Sequence, residues 1–177
     1  ELDIDIKPRQ YFIVTEKPIV KPELITIKGK SNIIESIEKW KTVKVTLEDV
    51  YKPMQLEVPL KDTLLSQITP VPTKVMVYVD VDLALDKVIY DVPIRIEEGS
   101  LPPNHILEPM YISVAIRGGI NKMIEQDFLI PDAKVTYSQI INDTIGIIVP
   151  QVEVPPGFTL LSIDPPYLFH RVVTRIR

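Results

Sequence analysis

Four carboxylates crowd one stretch of the chain, Asp80, Asp82, Asp86 and Asp91, and oxygen ligands at alternating positions are what a calcium loop requires. Such a loop also needs a glycine at its sharp turn. Ala84 and Leu85 stand where a ligand and that glycine would be, so the cluster reads as solvated charge at a strand end. His105 and His170 are the only imidazoles. Neither has a second histidine or a carboxylate at metal-ligand spacing, so the expectation for both is a surface or hydrogen-bonded histidine and not a zinc ligand. No Gly-x-Ser-x-Gly elbow is present to activate a serine. Lys28-Gly29-Lys30 and Arg117-Gly118-Gly119 could cradle an anion on backbone N–H groups. Their spacing is not that of a phosphate loop, and the simpler reading is a turn in which glycine supplies a positive φ. Trp40, Tyr51, Phe128, Tyr137, Phe158, Tyr167 and Phe169 could form a sugar platform, but they do not cluster in sequence, and core burial is expected for most of them. No catalytic, cofactor-binding or metal-binding residue is assigned, and an enzyme is the least favoured class.

Composition narrows the classes further. The 177 residues are 45% hydrophobic and 25% charged, enough apolar material for a real core and too much for disorder. Seventeen prolines against six glycines favour short strands with stiff turns over long helices. A net charge of −4 disfavours a binder of nucleic-acid backbone. The absence of cysteine removes disulfides, thiolate metal sites and cysteine nucleophiles. The longest apolar run, Ile145 to Val149, is far short of the ~20 residues that span a bilayer. The chain opens at Glu1 inside a strand pattern, as a chain trimmed of a targeting or anchoring segment would.

Alternation of apolar and polar residues dominates the elements that must hold these side chains. Leu2, Ile4 and Ile6 alternate with acidic and basic neighbours, and residues 24–28, 43–47, 75–79 and 92–96 follow the same rule. Each predicts a half-buried strand, with Pro93 marking an edge strand or a strand start. Asn32 to Trp40 breaks the rhythm: Ile33, Ile34, Ile37 and Trp40 share one helical face, which predicts a short helix or helical turn capped by Asn32 with Glu35 reaching back.

The pattern occurs twice. Ile25, Ile27, Lys28 and Gly29 match Val114, Ile116, Arg117 and Gly118, and Ile33-Ile34-Glu35 matches Met123-Ile124-Glu125. Val43-Lys44-Val45-Thr46 matches Ala133-Lys134-Val135-Thr136, and Leu56-Glu57-Val58-Pro59 matches Ile147-Ile148-Val149-Pro150. Ile68-Thr69-Pro70 is set against Ile163-Asp164-Pro165. The period is roughly 90 residues, about one small domain. The expected fold is therefore all-β, mainly strands with one short helix or helical turn per module, in two tandem mixed-sheet modules at residues 1–82 and 83–177.

A strand ending in a basic residue and glycine, a helical segment, a Val-Lys-Val-Thr strand, a strand ending in proline and a final Pro-Gly or Pro-x-Pro turn resemble the YbbR-like domain, present as two consecutive copies over essentially the whole chain. Many members carry glycine-proline after the first strand, where this chain has Gly29-Lys30 and Gly118-Gly119. The resemblance implies a non-catalytic module on the outer side of the bacterial cytoplasmic membrane, behind an N-terminal transmembrane helix. It further implies a protein partner at the membrane, since in some bacteria such a protein regulates a diadenylate cyclase, the synthase of cyclic di-AMP. It implies no cofactor and no site residues. Two other readings stand beside it. An RNA-binding module like the similar domain of L25-type ribosomal proteins is opposed by the acidic balance, and an adhesive or carbohydrate-binding surface module would need an exposed aromatic row or a metal-sharpened loop.

Overall fold

A computed structural model describes residues 1–30, 34–35, 37–61, 68–126 and 129–174. Among these residues the chain is all-β in class, with sixteen strands and two short helices, and it divides into two compact units, Glu1–Ala84 and Leu85–Arg177.

In the first unit β1 (Ile4–Pro8) pairs in parallel with β5 (Val45–Val50), Ile4 opposite Val45 and Ile6 opposite Leu47. Between them in sequence lie β2 (Phe12–Val14), β3 (Ile19–Lys21) and β4 (Thr26–Gly29). Then follow β6 (Met54–Pro59), β7 (Ile68–Val71) and β8 (Lys74–Val79). Strands β3, β8 and β6 form an antiparallel sheet in that order, and β4 pairs with β7. β2 pairs with the first residues of β9 (Val81–Glu97), Val14 opposite Val81. The alternation in β8 sends Val75, Val77 and Val79 into a core with Val50, Val58 and Val81, while Tyr78 faces outward. Each fully buried valine contributes on the order of 2 kcal/mol through the apolar surface it removes from water, and its branched side chain suits the pleat.

Asn32, Ile33 and Ser36 of the predicted helix lie outside the described residues. Of the remainder, the Ile34 amide donates to the Lys30 carbonyl at 3.1 Å and the Ile37 amide to the Ile34 carbonyl at 3.0 Å, so the described part is turn-like. Trp40 is buried, and its indole N–H donates to the Lys61 carbonyl at 2.9 Å.

The second unit continues β9 and adds β10 (His105–Glu108), β11 (Tyr111–Gly119), α1 (Ile120–Glu125) and β12 (Asp132–Thr136). It closes with α2 (Tyr137–Ile141), β13 (Ile147–Ile148), β14 (Gln151–Glu153), β15 (Phe158–Asp164) and β16 (Leu168–Val172). Ile94–Glu97 of β9 run parallel to β12, β14 covers the far edge of β12, and β11 pairs antiparallel with β15. β10, β16 and β13 form a separate antiparallel sheet. α2 begins with a reciprocal cap: the Thr136 hydroxyl accepts from the Gln139 amide, and the Gln139 side chain accepts from the Thr136 amide at 2.8 Å. The core gathers Ile94, Leu107, Val114, Ile116, Val135, Ile140 and Leu168 among others.

The two units repeat one strand order. The parallel pair β1/β5 has its counterpart in β9/β12, the antiparallel pair β4/β7 in β11/β15, and the sheet β3-β8-β6 in β10-β16-β13. The register corrects one sequence match. Gly29 stands opposite Ile68 and Gly118 opposite Phe158, so the counterpart of Ile68 is Phe158 and not Ile163. β15 is longer than β7, and the register against it shifts at Ala115/Ile116, which displaces the simple alignment.

Two further expectations need correction. Pro93 marks neither an edge strand nor a strand start, because β9 lies between β12 and β11. It is tolerated there because the ladder with β12 begins only at Ile94, after Asp91 has taken a left-handed φ of 55°. Neither Gly29 nor Gly118 supplies a positive φ; both lie in extended strands, Gly118 next to last in β11, where a Cβ would run into the Phe158 ring.

Candidate functional site

Two histidines distant in sequence meet in the second unit. β10 and β16 pair antiparallel with Leu107 opposite His170 and His105 opposite Val172. Strand alternation then puts His105, Leu107, Leu168 and His170 on the inward face and Ile106, Glu108, Phe169 and Arg171 on the other. The two imidazoles lie with centroids 5.0 Å apart and planes 26° from parallel. His105 Nδ1 is 2.9 Å from His170 Nε2, and His170 Nδ1 is 2.7 Å from Asp143 Oδ2.

Asp143 sits in the turn after α2, where its carboxylate accepts from the amides of Ile145 at 3.0 Å and Gly146 at 3.0 and 3.1 Å. Gly146 makes that turn with a φ of 82°, and its carbonyl accepts from the His170 amide at 3.0 Å. The side chains of His170 and Asp143 are both buried. The Ile145 amide, and after it the His170 ring, hold the Asp143 carboxyl below the usual carboxylate range. An ionised carboxylate can only accept, so a neutral His170 carries its one proton on Nδ1 and presents Nε2 as an acceptor. His105 then donates from Nδ1, and its own Nε2 has no partner among the described residues. The arrangement is a chain of two shared protons anchored by a buried anion. It can hold and pass a proton; no hydroxyl bonds to His105 among the described residues.

The Asp143 anchor gives a prediction with a definite sign. Its folded carboxyl titrates lower than an unfolded one, so its stabilisation is full above the ordinary carboxylate range and is lost as pH falls through the lower folded value. Below about pH 4 the second unit should therefore lose stability with falling pH. Asp143→Asn should flatten that acid limb in urea titrations at stepped pH. An acid limb as steep in the variant as in the parent would exclude Asp143 as its source.

The other residues singled out in the sequence stay apart. Asp80 accepts from the Thr15 hydroxyl, and Asp82 accepts from the Leu83 amide at 2.8 Å. Asp86 receives both arms of Arg117, at 2.6 and 2.8 Å, which takes the guanidinium away from the proposed anion cradle at Gly118. No group of three or more metal-ligating side chains gathers among the described residues.

The aromatic expectation is corrected. Trp40 and Phe158 are buried, whereas Tyr51, Tyr137, Tyr167 and Phe169 are exposed, and Phe128 lies outside the described residues. Leu168 and His170 occupy the inward phase of β16, so Phe169 between them must face out. There it stands 49% exposed, opposite Ile147 of β13 at 43%, with the Tyr167 ring edge-on at 5.4 Å. The Arg171–Glu108 ion pair at 3.0 Å lies on the same face. The counterpart face of β3-β8-β6 is more polar: Tyr78 there stands between Ile19 and Gln55, and Glu57 pairs with Lys74.

No protein-family model matches the chain, and no curated protein does. Among solved structures, a YbbR-like protein from Streptococcus pneumoniae is similar over 97% of this chain and 93% of that one, at 18% identity and a TM-score of 0.34. At that level of superposition the likeness carries no argument about function.

Proposed function

We propose that the chain is a non-catalytic interaction protein of two YbbR-like modules, residues 1–82 and 83–177, working on the outer side of a bacterial cytoplasmic membrane. One observation supports an interaction role above the rest. Phe169, Ile147 and Tyr167 form an apolar strip on the outward face of β16 and β13, with the Glu108–Arg171 pair beside it. An aromatic anchor next to a charged pair is the composition of a protein-binding patch. The repeated strand order supports the reading of two modules, and the motif resemblance supplies the membrane setting and a diadenylate cyclase as the partner class.

The test is capture of that partner by the membrane-anchored protein in crosslinked cells. Phe169→Glu and Ile147→Glu should each reduce recovery of the cyclase by about tenfold or more, as expected for a central aromatic anchor. Both residues face solvent, so folding should be unchanged by circular dichroism. Equal recovery with either variant would remove the patch from the interaction. Recovery of no membrane protein would remove the reading itself.

A further inference from the structure

We propose that the His105–His170 pair is a proton-operated latch on the edge of the second unit: it holds β10 against β16 with one or no extra proton and releases it with two. The inference rests on the hydrogen-bond geometry and is independent of the interaction reading. In the neutral pair His105 Nδ1–H donates to His170 Nε2, and His170 Nδ1–H donates to the Asp143 carboxylate. A first added proton has a place that disturbs nothing, the unused Nε2 of His105. The bond between the rings survives, because His105 still donates and His170 still accepts.

A second proton has only His170 Nε2 to go to, and it takes the lone pair that accepts from His105. Two N–H donors then face each other across 2.9 Å, both rings positively charged, with no acceptor between them. His170 cannot turn away, because its other nitrogen is tied to Asp143, whose carboxylate is fixed by two backbone amides. The movable partner is His105. It opens β10, a four-residue strand whose hydrogen-bonded neighbour among the described residues is β16. Displacing His105 therefore strains the ladder from the His105–Val172 rung inward.

The charged groups around the pair supply no acceptor between the two rings. Asp143, on the turn, is already used by His170. Glu108 of β10 and Arg171 of β16 bind each other on the opposite face at 3.0 Å. β13 brings only Ile147 and Ile148 to this sheet.

Amide hydrogen exchange followed by NMR on the full chain, compared at about pH 8 and about pH 5, tests the latch. After correction for the intrinsic pH dependence of exchange, the ladder amides of Ile106, Glu108, Phe169, Arg171 and Val173 should lose protection by about tenfold at the acid end, the scale of one lost hydrogen bond. Core amides of β11 should not follow. In His105→Gln the loss should vanish, because the amide can present either its N–H or its oxygen to His170. Constant protection in the parent protein, or the same loss in His105→Gln, would overturn the latch. The imidazole ¹⁵N spectrum of the unmutated chain at pH 8 is a second reading that needs no variant. Both rings should carry their proton on Nδ1, and an Nε2–H tautomer on either ring would refute the proposed bond.

Discussion

Leu168→Ala is expected to destabilise the second unit by roughly 2–5 kcal/mol, the range for removing a fully buried leucine from a core that collapses only in part. Leu168 has no exposed surface and belongs to a core with Leu107, Ile116, Ile140 and Ile148. Its strand is the middle one of three, so contacts on both sides of β16 depend on it. At ~4–8 °C per kcal/mol for a domain of this size, the apparent melting temperature should drop by about 10 °C or more. Leu161→Ala, on the exposed part of β15, supplies the control and should stay within about 0.5–1 kcal/mol. Calorimetry or urea unfolding followed by circular dichroism would measure both. Equal effects would mean that Leu168 is not the packing centre of its sheet.

Trp40→Ala should have a comparable effect on the first unit, ~3–5 kcal/mol for deleting a buried tryptophan. The side chain lines one wall of a groove with Leu2, Ile25, Leu60 and Val75, and its indole N–H answers the Lys61 carbonyl at 2.9 Å. Trp40→Phe separates the two contributions. It keeps most of the apolar ring and removes the donor, so it should cost less, with ~1–3 kcal/mol of the loss assigned to an unanswered carbonyl. Trp40 is the chain's one tryptophan, so its own fluorescence follows unfolding in the parent, and circular dichroism serves for both variants. If Phe were as damaging as Ala, the hydrogen bond and not the ring volume would be the main contribution.

How much of this was visible in the residues follows from the range of the interactions involved. Alternation is local, so Val75-Met76-Val77-Tyr78-Val79 announced a strand with its buried face already chosen, as β8 has it. The glycines near the strand ends are legible too, since Gly29 and Gly118 stand at matching rungs of their ladders. What stayed hidden depends on non-local pairing. His105 and His170 are 65 residues apart, and only the antiparallel register of β10 and β16 brings them together. Metal-ligand spacing in sequence carries no trace of a pair so far apart. One signal was available: β10 and β16 are counterparts of β3 and β8, so a repeat alignment carried through to strand pairing would have placed both histidines in one sheet. Asp143 carried no such signal, because its role comes from a turn closed by Gly146. The aromatic residues misled for a related reason. Their burial depends on the phase of the strand, and Phe169 falls on the outward phase between two inward neighbours.

Gly118 and Phe158 are tied together in a way that matters for any drift of this sequence. They face each other across the β11–β15 ladder, and the phenylalanine ring occupies the space a Cβ at position 118 would need. A larger residue at 118 is therefore accessible only after position 158 has shrunk, and the reverse step, enlarging 158 first, is closed. The order of permitted changes is fixed by who holds the volume. In a set of related chains the two sites should vary as a pair of opposite size, and the double variant Gly118→Ala/Phe158→Leu should be less damaged than the sum of its single changes.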